Sequence, residues 1–495
     1  MSLLLGIDLG TTGVRAAAFD HRSGRLAADA SEPCPHVAPA PGWAEADPEL
    51  WWDAVKVVCA RVLAKVSRDD VLAVGVTGQA PTAVLLDGAG RSVRPAILWL
   101  DVRAATEASA LDAALGPGVA EHLGGNRMHA YFLGPKLAWL RAHEPDALDR
   151  AALVLQSHAF VTLRLTGEAA CDPSTAMLCA PLFDARAGAW SELAARAVGM
   201  PMSALPRVMR AHDVVGHVTR EAAAVTGLRE GTPVVAGGGD FAASALGAGV
   251  TRQGQACLML GTAGNLLMPM DAPRFDSRLI NSHHVGSDAW LALGGTLCGA
   301  ALEWFRRTCA AGASWEELEA EAASVHVGAG GVVLLPYLQG ERTPVWDERA
   351  RGAFFGLDLT HGRGHLVRAL FEGVALGFAD CLAVARDAGT QVDEAIAANG
   401  AGKSALLRQT LADAMGIPVT WSNDRGATVW GAAILAGLGV GTFGADEIPR
   451  GASDDAPSHR HEPDARAHAR LTEVMRKRRG LYEAVRGARL TELGG

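Results

Sequence analysis

A short phrase recurs nearly unchanged about half the chain apart: Leu9-Gly10-Thr11-Thr12-Gly13 and Leu260-Gly261-Thr262-Ala263-Gly264. Each copy closes an apolar run of strand character, Leu3 to Ile7 in the first case and Ala256 to Leu260 in the second. A strand feeding a Gly/Thr turn brings backbone N–H groups and hydroxyls to whatever lies at the strand end. Glycine permits positive φ and close approach of a ligand. Successive N–H groups in such a turn can form an anion-binding nest, to which threonine hydroxyls add donors. One Gly-Thr turn is commonplace. Two, one in each half, suggest a phosphate chain gripped from both sides.

The pairing calls for two halves, and at 495 residues the chain is too long for one compact core. We expect an α/β protein with domains 1–247 and 248–495. The opening is antiparallel: Met1 to Asp8, Val14 to Phe19, a turn at His21 to Arg25, and a third strand from Leu26. Asp47-Pro48 opens a helix, with Asp as N-cap and Pro at the first helical position. Val71 to Val76 reads as a buried strand ending at Thr77-Gly78-Gln79, and Asp87 to Gly90 as a hairpin turn. In the second half, Val234 to Ala236 leads into Gly237-Gly238-Gly239-Asp240, and Ala395 to Ala398 into the helix Ala405 to Met415. The stretch Gly451 to Arg470 reads as a surface loop before a terminal helix. The formal charge of −9 is spread along the chain, which argues against nucleic acid or an anionic membrane as partner. No apolar run reaches membrane-spanning length. The eight cysteines form no CxxC pair, which fits a reducing cytoplasm.

Two carboxylates stand out. Asp8 sits at a strand end beside the first Gly-Thr turn, where it can organise a hydrated Mg²⁺. Asp240 follows three glycines and lies between the halves, where ligands bind preferentially. There it can take the proton of an attacking hydroxyl, worth roughly 10²–10⁴-fold, or simply cap the following helix. The run Asn399-Gly400-Ala401-Gly402-Lys403-Ser404 can pass around an adenosine, although a plain strand-to-helix turn explains it as well. It is not a Walker P-loop, because Ala397 stands where that frame needs glycine. Gly340-Glu341-Arg342-Thr343-Pro344 reads as a structural ion-pair turn, with a place in the cleft wall as the alternative. Trp99, Asp101 and Arg103, after a strand, suit a sugar.

Taken in order, these landmarks resemble the FGGY carbohydrate kinases, closest in pattern to the xylulokinase members. The resemblance runs from Gly6 to about Gly441. It includes Trp43, Asp47-Pro48, Trp51-Trp52, Pro95 to Trp99, Pro135-Lys136-Leu137, His143-Glu144-Pro145, Gly237 to Asp240, Leu260 to Gly264, Leu335 to Pro344 and Gly352 to Leu357. It implies an actin-like ATPase fold, two ribonuclease-H-like domains around a central cleft, and ATP-dependent phosphorylation of a small sugar. Asp240 is then the general base and Asp8 the magnesium-associated aspartate, both facing the metal. Gly10, Thr11, Thr12, Gly261 and Thr262 contact phosphate, and Gly400 and Ser404 contact adenosine. Gln79, Ala80, Pro81, Trp99, Asp101, Asp240 and Phe241 face the sugar. A cytoplasmic enzyme follows, with a homodimer one of the open assemblies.

The chain departs from the pattern where the family touches the sugar. Ala80-Pro81-Thr82 follows Gln79 in place of Met-His, and Phe241 replaces an Asn or Gln after the base. Each lost polar contact is worth roughly 0.5–1.5 kcal/mol. Leu100 and Leu133 also depart, as does the run from Asn399 to Ser404. Ribulose, glycerol or a rarer sugar therefore stand as alternatives to xylulose, and a non-catalytic sugar sensor as the alternative to an enzyme.

Overall fold

A computed structural model describes residues 2–398, 400–421, 426–449 and 460–488. Asn399 of the adenosine run and residues 451–459 of the expected surface loop lie outside the described residues. Contacts divide the chain into two units, Met1–Thr251 with Asn281–Leu291 and Arg425–Asp455, and Arg252–Ile280 with Ala292–Asp424 and Ala456–Gly495. The first long segment is followed by the second unit, and the chain returns to the first unit with the helix Ala427–Gly439.

The strands of the two main sheets are β1 (Leu3–Leu9), β2 (Gly13–Asp20), β3 (Leu26–Pro33), β4 (Val71–Gly78), β5 (Val214–His217), β6 (Pro233–Val235), β7 (Gly238–Gly239), β8 (Gly254–Leu260), β9 (Ala263–Met270), β10 (Trp290–Leu297), β11 (Val392–Ala398), β12 (Val419–Trp421) and β13 (Arg460–His461). The helices used below are α1 (Pro48–Leu63), α2 (Ser157–Thr166), α3 (Asp240–Gly247), α4 (Gly299–Cys309), α5 (Ala405–Met415), α6 (Ala427–Gly439) and α7 (Ala465–Gly487).

The two sheets have one plan. In the first unit the order is β5-β6-β4-β1-β2-β3, with β7 also pairing β4, and in the second sheet it is β10-β9-β8-β11-β12-β13, with one more strand, Ile280–His283, on β10. β1 runs antiparallel to β2 and parallel to β4, as β8 runs antiparallel to β9 and parallel to β11. β4 is parallel to β6 and β11 to β12, and an antiparallel edge strand closes each sheet, β5 on β6 and β13 on β12. This is the ribonuclease-H-like core, present twice, of the actin-like ATPase fold. The recurring sequence phrase falls on the same hairpin of each copy, between β1 and β2 and between β8 and β9.

The local signals act as expected. Asp47 caps α1 by accepting the Glu49 N–H at 2.9 Å, with Pro48 at the first position. The helix buries Trp51, Val55, Val58 and Val62 against the first sheet. The turn Asp87 to Gly90 forms, with Leu86 bridging Ser92 antiparallel across it and the Val93 N–H donating to the Leu85 carbonyl at 3.0 Å, and the strand before it, Val84–Leu86, also pairs with Leu153–Leu155. The surface loop expected to Arg470 is shorter: Arg460–His461 pairs with β12, and Asp464 caps α7, which starts at Ala465.

Helix α6 fixes the first unit. It is almost wholly apolar, and Ala427, Val429, Trp430, Ile434 and Leu435 are buried. It lies on its neighbours backbone to backbone. A Cβ at Gly6 of β1 would stand 2.0 Å from the Val429 carbonyl oxygen, and one at Gly75 of β4 1.9 Å from that of Ala432. A Cβ at Gly247 of α3 would stand 1.8 Å from the Ala427 oxygen, and one at Gly431 1.9 Å from the Ala243 oxygen. Side chains cannot relieve such overlaps, because the obstructing atoms are backbone. Replacing Gly75 or Gly431 by Ala is therefore expected to destabilise the protein by about 1–3 kcal/mol, read as a lower melting temperature in calorimetry. Gly88→Ala, where a Cβ meets nothing within 4 Å, should leave it unchanged. Equal melting temperatures for all three variants and the wild type would contradict the packing account.

Candidate functional site

Adjoining strand ends bring two carboxylates together in the first unit. Asp8, penultimate in β1, is in register with Arg15 of β2 and Thr77 of β4. Thr77 is also in register with Gly238 of β7. Asp240 follows β7 directly as the first residue of α3. Burial, then the negative charge of Asp240, push the Asp8 carboxyl up to about 8 against the pull of Arg15. Arg15 itself is engaged by Asp29 at 3.0 Å. Burial pushes Asp240 up to about 6, opposed by the Phe241 N–H, which donates to Asp240 Oδ1 at 2.7 Å.

The buried Oδ1 of Asp8 has no hydrogen-bond partner. An orphaned carboxylate oxygen beside a second carboxylate suits a divalent cation whose other ligands are water and phosphate oxygens, the habit of Mg²⁺. The donor set therefore fits that ion. Among the described residues no three His, Cys, Asp or Glu side chains cluster as a closed metal cage.

The first Gly-Thr turn joins β1 to β2. Neither Gly10 nor Gly13, nor Gly261 and Gly264 of the second copy, has left-handed backbone, so the nest built on positive φ is not the device used. The glycines supply room instead. A Cβ at Gly13 would stand 2.8 Å from the Glu32 oxygen, and one at Gly264 2.4 Å from the Phe378 ring. Thr12 is exposed and Thr11 half-buried. The Trp99 indole N–H donates to Thr11 Oγ1 at 3.0 Å, tying the turn to the residues read as facing the sugar.

Of those residues, Gln79, Ala80, Pro81 and Phe241 are buried. Gln79 continues β4, its N–H donating to the Leu9 carbonyl at 2.9 Å, and its Oε1 is buried without a partner. The Ala80 carbonyl accepts the Tyr131 hydroxyl at 3.3 Å. Phe241 lies back over Gly239, where a Cβ would meet its ring at 2.4 Å. Asp101 is fully buried and occupied: its oxygens accept Arg103 Nη2 at 2.6 Å, Arg103 Nε at 2.9 Å and the Ala44 N–H at 2.6 Å. Arg103 stacks on Trp43, 3.6 Å from the ring centroid, and also pairs with Glu45 at 2.7 Å. Asp101 thus braces the loop that carries Trp99.

In the second unit, the carbonyls of Gly261 and Thr262 accept the N–H groups of Gly299 and Ala300, at 2.9 and 3.0 Å, from the start of α4. Gly261 is half-buried and Thr262 exposed. Ser404 caps α5, accepting the Leu407 N–H at 3.0 Å, while Gly400 is exposed with open space around it. The position equivalent to Asp8 holds Met259, so the second copy of the hairpin carries no carboxylate there. In the turn at Glu341, Glu341 accepts the Thr296 hydroxyl at 3.0 Å, and Thr343 Oγ1 accepts the Gly295 N–H at 2.6 Å.

Residue patterns alone did not single out Thr77, His158, Asp172 or Ser174 around the glycines that precede Asp240. Asp172-Pro173 has the same cap signature as Asp47-Pro48 and could have marked a helix start, but not what that helix touches.

Comparison with known proteins gives concordant matches. Models of the N-terminal and C-terminal domains of the FGGY family of carbohydrate kinases match residues 3–247 and 256–440. A xylulose kinase of Bacillus subtilis is 31% identical over 448 residues, 90% of this chain and 89% of that protein. A glycerol kinase of Dechloromonas aromatica is 35% identical over 460 residues, 90% of each. The crystal structure of xylulose kinase from Rhodospirillum rubrum superposes with a TM-score of 0.89 at 33% identity, covering 98% of this chain and 99% of that one.

The crowding of Asp8 and Asp240 has a thermodynamic consequence of its own. Both carboxyls hold their protons more tightly folded than unfolded, so the folded state binds more protons above about pH 4. Stability is therefore lost as pH rises through about 6 for Asp240 and about 8 for Asp8. Asp8→Asn is expected to stabilise the ligand-free protein at pH 8 by several kcal/mol, on the order of 1.4 kcal/mol for each pKa unit, read as a higher melting temperature, and to stabilise it much less at pH 5. A gain of the same size at both pH values would contradict the account.

Proposed function

We propose that this chain, which belongs to the FGGY family of carbohydrate kinases and is an ATP-dependent sugar kinase, phosphorylates a hydroxyl of a ketopentose-like sugar with Asp240 as general base. The observation that carries the assignment is the position of Asp240. It opens α3, beside Asp8, with a carboxyl that titrates at about 6. A base near the working pH is largely ionised yet still takes up a proton. The Phe241 N–H holds Oδ1, which leaves Oδ2 to receive the proton of the sugar hydroxyl as it attacks the γ-phosphate.

Most of the remaining catalysis of phosphoryl transfer is positioning and charge stabilisation. Asp8, with its orphaned oxygen, and Asp240 would hold Mg²⁺, which when bound offsets the negative charge of the phosphates. Gly10, Thr11 and Thr12 in one unit, and Gly261 and Thr262 in the other, are the proposed phosphate contacts. Gly400 and Ser404 are the proposed adenosine contacts. Gln79 offers the sugar an unpartnered acceptor, and Ala80, Pro81, Trp99 and Phe241 offer apolar surface, while Asp101 keeps Trp99 in place. No helix of the described residues is long and apolar enough to cross a membrane; the proposed place of action is the cytoplasm, where ATP and small sugars meet.

The xylulose kinases among its relatives favour xylulose as substrate. A second reading, another ketose or a polyol such as glycerol, draws on Phe241 and Ala80-Pro81, which are apolar where hydroxyl patterns would be read. A panel of xylulose, ribulose, glycerol and rarer sugars in a coupled ADP assay separates them: the highest kcat/KM on xylulose supports the first reading, and on glycerol the second.

Asp240→Asn should lower kcat by roughly 10²–10⁴-fold while the KM for ATP stays near that of the wild type. Because the ionised form is active, wild-type kcat/KM should fall about tenfold per pH unit below about 6. Turnover near the wild-type level in Asp240→Asn would overturn the assignment.

A further inference from the structure

The backbone leading into Asp240 is Gly237-Gly238-Gly239, with no side chain of its own to hold it. Its backbone pairs with β4, and the Gly237 N–H donates to the Ala211 carbonyl at 2.8 Å; two side-chain hydroxyls add to this hold. Thr77 Oγ1 donates to the Gly238 carbonyl at 2.9 Å, and Ser174 Oγ accepts the Gly239 N–H at 3.2 Å. Ser174 is fixed in turn by Asp172, whose Oδ2 accepts the Ser174 N–H at 2.8 Å and whose Oδ1 accepts the Thr175 hydroxyl at 2.6 Å. Asp172 Oδ1 lies 3.6 Å from Nε2 of His158 on α2. The Ser282 hydroxyl donates to the Ser174 carbonyl at 2.8 Å. Thr77, His158, Asp172, Ser174 and Ser282 are all completely buried. The fit is close: a Cβ at Gly238 would stand 3.1 Å from Asp172 Oδ2 and 2.7 Å from Val285, and one at Gly237 1.9 Å from the Val76 oxygen. Neither hydroxyl bonds the Asp240 carboxylate.

We propose that Thr77 and Ser174 are positioning residues of the kinase reaction, a two-point clamp on Gly238 and Gly239 that sets where the Asp240 carboxylate meets the sugar hydroxyl. The proposal rests on the reading of Asp240 as the base. Its physical reason is that glycine backbone has the widest choice of conformations, so three in succession carry a carboxylate accurately only if their polar groups are fixed. Misplacement of a reacting group by about 1 Å can cost on the order of 10²-fold in rate. The buried Asp172, with His158 behind it, fixes the backbone of Ser174 from which the hydroxyl reaches the Gly239 N–H.

The test compares Thr77→Val, Thr77→Ser, Ser174→Ala and Asp240→Asn in the full-length protein, with kcat, KM for ATP, KM for the sugar and melting temperature measured for each. Thr77→Val keeps the shape of the side chain and removes one hydrogen bond, so it decides the matter even if Ser174→Ala fails to fold. The clamp predicts that Thr77→Val and Ser174→Ala each lower kcat at least tenfold with KM for ATP within threefold of the wild type. It also predicts that Thr77→Ser, which keeps the hydroxyl, restores kcat to within threefold. Wild-type kcat in Thr77→Val beside an inactive Asp240→Asn would overturn the clamp and leave the base in place. Equal losses in Thr77→Val and Thr77→Ser would also overturn it, since packing and not the hydroxyl would then matter. An active Asp240→Asn would overturn the reading of the base, and the clamp with it.

Discussion

Helix α6 and the glycines around it are the constraint on which the first unit depends. The helix meets β1 at Gly6, β4 at Gly75 and α3 at Gly247, with Gly431 as its own point of closest approach. β1 carries Asp8, β4 carries Thr77 and leads directly to Gln79, and α3 opens with Asp240. One apolar helix, reached only after the chain has built most of a second unit, thus packs on each of the elements that end at the candidate site. Trp430 adds a ring contact to Phe19 of β2, 4.8 Å between centroids, on the strand that leaves the first Gly-Thr turn.

What this packing holds together is unfavourable by itself. Two carboxylates are kept close and away from water, and both resist ionisation. A fold tolerates such an arrangement when the rest of the structure over-determines it, and the glycine contacts provide that. The same crowding suits phosphoryl transfer: one carboxyl is poised near neutral pH to take a proton, and the other has an oxygen that only a cation or a proton can satisfy. The second unit repeats the sheet and the hairpin but puts Met259 where Asp8 stands. The proposed proton and metal chemistry therefore draws its carboxylates from the first unit, and the second offers a turn and a helix start.

Much of this was legible in the residues because it is local. The apolar runs that end in Gly-Thr turns, the Asp-Pro helix starts, the antiparallel opening and the helix at Ala405 follow from propensity and capping within a few residues. The duplication was also legible, since its phrase survived in both copies. What was not legible depends on atoms far away in sequence. The glycines of the turns are there for carbonyls and rings that approach them, not for a left-handed backbone, and no local pattern reveals the approaching atom. Asp101 stood in a promising place, but Arg103 and the Ala44 N–H already occupy its oxygens. Thr77 and Gly238 are 161 residues apart, and Asp240 is placed through such contacts. The return of the chain to the first unit with α6 is equally hidden, because an apolar helix carries no mark of which sheet it covers.

The central claim is that close backbone packing forces Asp8 and Asp240 into one buried, mutually repelling pair. A ¹³C NMR titration of carboxyl-labelled aspartate, with the two resonances assigned from Asp8→Asn and Asp240→Asn, measures it directly. In the metal-free protein the account predicts midpoints of about 8 for Asp8 and about 6 for Asp240, with the Asp8 midpoint falling when Asp240 is replaced by Asn. Midpoints near 4 for both residues, each unaffected by replacement of the other, would contradict it.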